Sequence, residues 1–318
     1  MSAEGSTKAV TMALAANFGI AVTKFLAFAL TGSSSMLAEA IHSVADSSNQ
    51  ALLLIGGRRA KRRATPEHPF GYGRERYIYA FIVAIVLFTL GGLFALYEGW
   101  HKIRDPHPIT EWQWVPVVVL LVAIVLEATA LRTAVKESNQ VRGKAGWFQF
   151  VRRSKAPELP AILLEDTGAL LGLVFALAGV GLTLATGDGV WDGIGTGAIG
   201  VLLCVIAIVF ATEVKSLLIG ESASDEHVRL IRAAILAGDD VDTVIHLRTM
   251  HLGPEELLVA AKIAIDLDDD ARDVAQAING AEARIRESVP IARLIFIEPD
   301  ILRGGHSTST TAPAPGLE

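Results

Sequence analysis

The chain has 318 residues, of which 51% are hydrophobic, and a mean hydropathy of +0.43. That lies above the range of ordinary soluble domains, so membrane spans are expected. The net charge of -6 divides unevenly: basic residues crowd the first half and acidic ones collect after Gly220, which argues against one soluble body and for a membrane part followed by a soluble part. The single cysteine, Cys204, excludes a disulfide framework or a Cys-rich zinc site within one chain.

Six apolar segments follow one another at residues 8–31, 34–57, 77–100, 112–135, 159–185 and 190–217. Each is close to the ~20 residues that cross ~30 Å of hydrocarbon. The first begins near Lys8, lacks a small-residue cleavage site and reads as a retained anchor. Short turns at Thr31-Gly32-Ser33 and Gly187-Asp188-Gly189 make helical hairpins of the first and last pairs. Basic residues concentrate after the second segment (Arg58, Arg59, Lys61, Arg62, Arg63, Arg74, Arg76) and after the fourth (Lys136, Arg142, Lys144, Arg152, Arg153, Lys155). The excess of Lys and Arg on these loops predicts both termini in the cytoplasm. Trp100, Trp112, Trp114 and Trp191 fall near predicted span ends, as interface anchors do.

After Gly220 the pattern changes. Ser224-Asp225-Glu226 predicts an N-cap and a helix over 225–237. Residues 241–251 and 257–267 alternate as strands around a turn at Gly253-Pro254-Glu255-Glu256. A helix over 269–289 and a strand over 292–297 complete the order helix–strand–strand–helix–strand, a small α+β (ferredoxin-like) domain. The predicted organisation is 1–218 transmembrane, 219–303 soluble and 304–318 a disordered tail.

The apolar segments contain few charges. The second carries Glu39, His42, Asp46, Asn49 and Gln50; the first Asn17 and Lys24; the fourth Glu127; the fifth Glu165 and Asp166. Glu98 ends the third, facing the outer interface, and the sixth reads as free of charge until Glu213. On a helix, His42 and Asp46 share one face. An imidazole beside a carboxylate suits zinc and similar divalent metals, and ionisable groups at membrane depth cost several kcal/mol unless they serve a purpose. Asp46 lies about 10 residues from the inner end of its span and Asp166 about 8, so at ~1.5 Å per residue the two come level. Glu165, ~100° around the helix, lines the same cavity or supplies another ligand. The predicted metal site is therefore His42, Asp46, Asp166 and Glu165. Lys24 is expected to snorkel to the outer surface in preference to pairing with a buried carboxylate, Glu39 to line the cavity or meet solvent, Glu127 to pack between helices in preference to standing behind the ligands, and Asn17 and Asn49 to bond across helices.

The stretch His42-Ser43-Val44-Ala45-Asp46, the later Glu67-His68-Pro69-Phe70-Gly71-Tyr72-Gly73-Arg74-Glu75 and the junction Leu217-Leu218-Ile219-Gly220-Glu221 resemble the signature of the cation diffusion facilitator transporters. The resemblance covers residues 8–300, and Leu164-Glu165-Asp166-Thr167-Gly168 is similar to the zinc-transporter subgroup with Glu-Asp in the fifth span. It implies six spans with a small cytoplasmic αββαβ domain, export of divalent metal, commonly zinc, in exchange for protons, homodimers joined through the soluble domain, and a place in the plasma membrane. The metal is substrate; no cofactor is implied. Many members carry His or Asp four residues before the fifth-span Asp, where this chain has Ile162; one imidazole with carboxylates also suits iron(II), manganese or cobalt. His68 matches a second site of some relatives, but Thr65 and Tyr72 stand where other ligands would be. In the soluble domain His246, His251 and Glu298 are available, with the two histidines on opposite strand faces. The other readings are a membrane metal sensor or scaffold. An intramembrane enzyme is disfavoured, there being no HExxH pair and no Ser or Cys nucleophile near a histidine. Nucleic-acid binding is disfavoured by the acidic soluble part.

Overall fold

The structure, a computed structural model, describes residues 19–110, 112–238, 240–266 and 268–301. It divides between Leu218 and Ile219 into two compact units. Asn17, the first residues of the first apolar segment and the tail 304–318 lie outside the described residues.

The first unit is helical: α1 (Gly19–Thr31), α2 (Ser34–Ala60), α3 (Glu75–Val86), a π-helical turn (Leu87–Leu93), α4 (Phe94–Arg104), α5 (Trp114–Arg142), α6 (Trp147–Arg153), α7 (Glu158–Thr186) and α8 (Val190–Ile219). The π turn joins α3 and α4 into one rod, Glu75–Arg104. That rod, α5, α7 and α8 are long and apolar enough to cross a membrane. Helix α2 has 27 residues, yet polar groups lower its hydropathy, and these groups face inward. Its buried stripe is Glu39, His42, Ser43, Asp46 and Asn49, while Val44, Leu54 and Ile55 are exposed. Such an inside-out pattern belongs to a helix with apolar surroundings and a polar interior.

The α1–α2 turn is held from another helix. Gly32 takes a positive φ of 62°, and Ser33 caps α2 by accepting from the Met36 N–H at 3.3 Å. Asp192, fully buried at the start of α8, accepts from Ser33 Oγ at 3.0 Å and from the N–H groups of Ser34 at 2.7 Å and Ser35 at 3.3 Å. A carboxylate on a helix N-terminus meets free N–H donors and the positive end of the dipole. The expectation that the sixth segment carries no charge before Glu213 is therefore corrected. Asp192 is a capping ligand for a different helix, a role invisible from its own segment. Glu98, expected at an interface, accepts from Ser34 Oγ at 3.0 Å at the same turn.

Small residues let the rods close in. A Cβ on Gly99 would stand 2.6 Å from Gly197 N and 2.8 Å from Gly193 O, and one on Gly92 would stand 2.4 Å from Cys204 Sγ. The loop after α5 contains a helix that the sequence reading left as a basic connection. In α6 the Trp147 ring lies 4.2 Å from the Arg142 guanidinium and Phe150 is buried against Ala134 and Leu163.

The second unit has the predicted order: α9 (Asp225–Leu236), β1 (Thr243–Gly253), β2 (Glu256–Ala264), α10 (Ala271–Ser288) and β3 (Ala292–Asp300). Ser224 caps α9 by accepting from His227 N, and Asp270 with Asp273 forms a capping box on α10. The sheet order is β1-β2-β3, β1 antiparallel and β3 parallel to the central β2. Along β2, Leu257, Val259, Ala261 and Ile263 face a core completed by Ile231, Ile235 and Ile285 of the two helices. Across the other ladder, Lys262 Nζ pairs with Asp300 at 2.8 Å and Glu298 at 3.2 Å; the two hydrogen bonds hold its ammonium above the ordinary value of 10.5.

Candidate metal site

Helix α2 supplies the centre of the site. His42 and Asp46 stand one turn apart, with His42 Nδ1 3.5 Å from Asp46 Oδ1, and both are buried. Asn49 continues the stripe and donates from Nδ2 to Glu165 Oε1 on α7 at 2.6 Å. Asp46 is a close neighbour of Glu165 across the same contact.

The two predicted α7 carboxyls behave differently. Glu165 is buried against α2, whereas Asp166 is half-buried and has Glu127 of α5 and then Asp46 as its charged neighbours. Ile162, one turn before Asp166, packs with α5 and α6 side chains at the cluster of Ala134, Phe150 and Leu163. The structure thus brings His42, Asp46 and Glu165 onto one helix–helix contact and places Asp166 on the adjoining face. Among the described residues, no three His, Cys, Asp or Glu side chains stand close enough together to hold a metal ion.

The site is polar and unsatisfied. His42 Nδ1 and Nε2, Asp46 Oδ1, Asn49 Oδ1 and Glu39 Oε1 are buried without a hydrogen-bond partner. Each such group costs about 1–3 kcal/mol, and a cluster of them calls for an explanation in function. The π turn runs alongside. A Cβ on Gly91 would lie 3.8 Å from His42 Nδ1, so the turn is in van der Waals reach of the imidazole.

Two residues were misplaced by sequence reasoning. Lys24 does not snorkel: it is 1% exposed and its Nζ donates to Glu39 Oε2 and Ser43 Oγ, both at 2.9 Å. A buried ammonium needs a charged partner, and Glu39, itself 0% exposed, supplies it. Glu127 does more than pack, since Asp46, Lys24, His42 and Glu39 are all among its charged neighbours. The i, i+3/i+4 spacing of Glu39, His42 and Asp46 was the available signal: it puts Glu39 on the ligand face.

The other candidates are engaged elsewhere. In the 65–73 loop the Thr65 and Tyr72 hydroxyls lie 3.3 Å apart and the His68 ring meets Tyr72 edge-on at 4.7 Å. In the second unit His251 is buried and His246 exposed, while Glu298 is paired to Lys262.

A helical membrane unit with inward carboxylates and one imidazole defines a class of ion-handling proteins. The family model described as the cation efflux transmembrane domain matches residues 10–219, and the chain belongs to that family. It is 31% identical over 266 residues to the Mus musculus protein "Proton-coupled zinc antiporter SLC30A9, mitochondrial", covering 83% of this chain and 47% of that one. It is 28% identical over 260 residues to "Metal tolerance protein C4" of Arabidopsis thaliana, covering 81% and 57%. It is 26% identical over 296 residues to "Cation-efflux pump FieF" of Pectobacterium atrosepticum, covering 91% of each. The chain thus spans about half the length of the first two relatives and nearly all of the third.

Proposed function

We propose that this multi-pass membrane protein is a divalent metal/proton antiporter working by alternating access, with zinc as its foremost substrate. The observation that carries the reading is the buried stripe of α2. His42 and Asp46 face Glu165 across a helix contact, with orphaned polar atoms that a cation would satisfy. The ligand set is His42, Asp46, Glu165 and Asp166. The printed names of the relatives, a zinc antiporter and a cation-efflux pump among them, point to the same class of cargo.

Metal binding needs a neutral imidazole and ionised carboxylates. Protons held by these groups must leave when metal arrives, and their return favours release. Exchange is therefore built into one site. Membership of the cation efflux family makes the protein a carrier and not an enzyme. Six spans, both termini in the cytoplasm, residence in the plasma membrane and a homodimer joined through the second unit belong to this proposal. A mitochondrial membrane is the alternative, after the name of the mouse relative. The basic loops support the orientation.

The test is metal uptake into proteoliposomes under an imposed pH gradient, comparing zinc, manganese, iron(II) and cobalt. Gradient-dependent flux of one ion, abolished in Asp46→Ala, is expected. Metal binding without flux of any ion by folded protein moves the reading to a sensor.

A further inference from the structure

Lys24 lies outside the ligand set, yet it is the cation that recurs among the charged neighbours of Asp46 and Glu127. Its partner Glu39 is on the ligand stripe of α2, one turn before His42. Glu39 uses Oε2 for Lys24; its Oε1 is buried without a hydrogen-bond partner and lies 3.1 Å from where a Gly172 Cβ would be on α7. The carboxylate is thus half-engaged, with one oxygen turned toward the helix that carries Glu165 and Asp166. Behind Lys24, a cleft of about 540 Å³ lies between α1 and α5, lined by Gly19, Thr23, Val118, Val122 and Leu126 as well as Lys24 itself. The side chain has room to leave Glu39.

Four carboxyls surround this path: Glu39, Asp46, Glu127 and Glu165, with Asp166 beside them. Moving so many acidic groups through a low-dielectric interior without a cation is costly. A fixed positive charge lowers that cost when metal is absent and opposes the metal when it is present.

We propose that Lys24 is the resident counter-ion of the metal path, compensating the carboxylates in the metal-free carrier and parting from Glu39 as a divalent cation enters. This rests on the transport reading above. It makes Lys24 a positioning and charge-setting residue that touches no substrate. Neutralising it should tighten metal binding and slow release; neutralising Glu39 should do the reverse. A purely structural tie between α1 and α2 predicts that both changes impair in the same direction.

The experiment measures zinc binding at equilibrium and zinc flux with the full chain in proteoliposomes. Lys24→Met is expected to lower the zinc Kd and KM by about tenfold, as for one charge removed at an effective dielectric of ~20, and to reduce kcat. Glu39→Gln should raise Kd and KM by a similar factor. The double variant Lys24→Met/Glu39→Gln should return to within about threefold of wild type, and Lys24→Arg should keep the wild-type Kd. Should Lys24→Met fail to fold, the double variant and Glu39→Gln still decide the matter. Shifts of the same sign in both singles, or a loss of kcat alone at unchanged Kd, overturn the counter-ion role while wild-type flux leaves the transport reading standing. Wild-type protein that neither binds nor moves any of the four ions overturns both.

Discussion

Glu165 meets Asn49 and Asp46, while its chain neighbour Asp166 is turned toward α5 and Glu127. The ~100° between successive residues on a helix is enough to send two adjacent carboxyls to different partners. Asn49 fixes this choice, because its amide occupies Glu165 Oε1 at 2.6 Å. Asn49→Leu removes that donor and leaves a buried carboxyl short of one bond, at a cost of about 1–3 kcal/mol. A thermal-shift assay in detergent should show a Tm lower by several degrees, with zinc affinity weakened as Glu165 swings free. His42 and Asp46 could be paired from the sequence because four-residue spacing is a property of one helix. A pairing of Lys24 with a buried carboxylate was one of two readings, and the choice of Glu39 was not legible: it depends on α1 and α2 lying side by side, and a lone lysine near a span end is ordinarily resolved by snorkelling. The charge of Asp192 is plain in the sequence of the sixth segment, and only its capping role is hidden, since the N–H groups it accepts from are about 160 residues earlier in the chain.

At the scale of the elements, α4 and α8 approach through glycine. A Cβ on Gly99 would meet backbone atoms of Gly193 and Gly197 below 3 Å, and backbone cannot step aside as a flexible side chain can. Gly99→Ala is therefore expected to push the two helices apart and cost about 1–3 kcal/mol. Its signature is reduced yield of monodisperse protein and a lower Tm, with Gly197→Ala, which has open space at its Cβ, as the matched control. Helices α5, α7 and α8 were legible as continuous apolar runs, because hydropathy reports burial in lipid without reference to partners. The π turn was not. Leu87–Leu93 has the composition of an ordinary span, and the extra residue per turn leaves no mark on hydropathy. Short α6 was hidden by the basic residues around it.

For the molecule as a whole, the antiport proposal has proton and metal compete for the same groups. Affinity should fall as pH falls on the side from which metal enters, by about tenfold in KM per pH unit for each proton displaced. Initial rates of zinc uptake into vesicles loaded at constant internal pH, with external pH varied from 7.5 to 6, check this, and a flat profile would count against exchange. The second unit was legible in order and in caps: Ser224 and the alternation from Leu257 to Ile263 suffice for α9 and β2, since a sheet with one covered face imposes a period of two. The candidate site was legible in its residue types. Its arrangement was not, because which carboxyls meet His42 and Asp46 depends on how α2, α5 and α7 pack, which spacing within one helix does not report.

The π turn beside His42 has a consequence for the history of this chain. An inserted residue in a membrane helix ordinarily rotates everything beyond it by ~100° and ruins the packing on one side. A wide turn absorbs such an insertion locally, so the flanking helices keep their faces. Here the slack falls at Leu87–Leu93, between Tyr77, which is buried at one end of the rod, and Gly99, which seats against α8 at the other. Both ends of the rod are anchored, so gains or losses of a single residue have one place where they can be tolerated, and that place adjoins the imidazole. Evolution can therefore retune the surroundings of His42 by changing chain length there, without moving the scaffold that holds it.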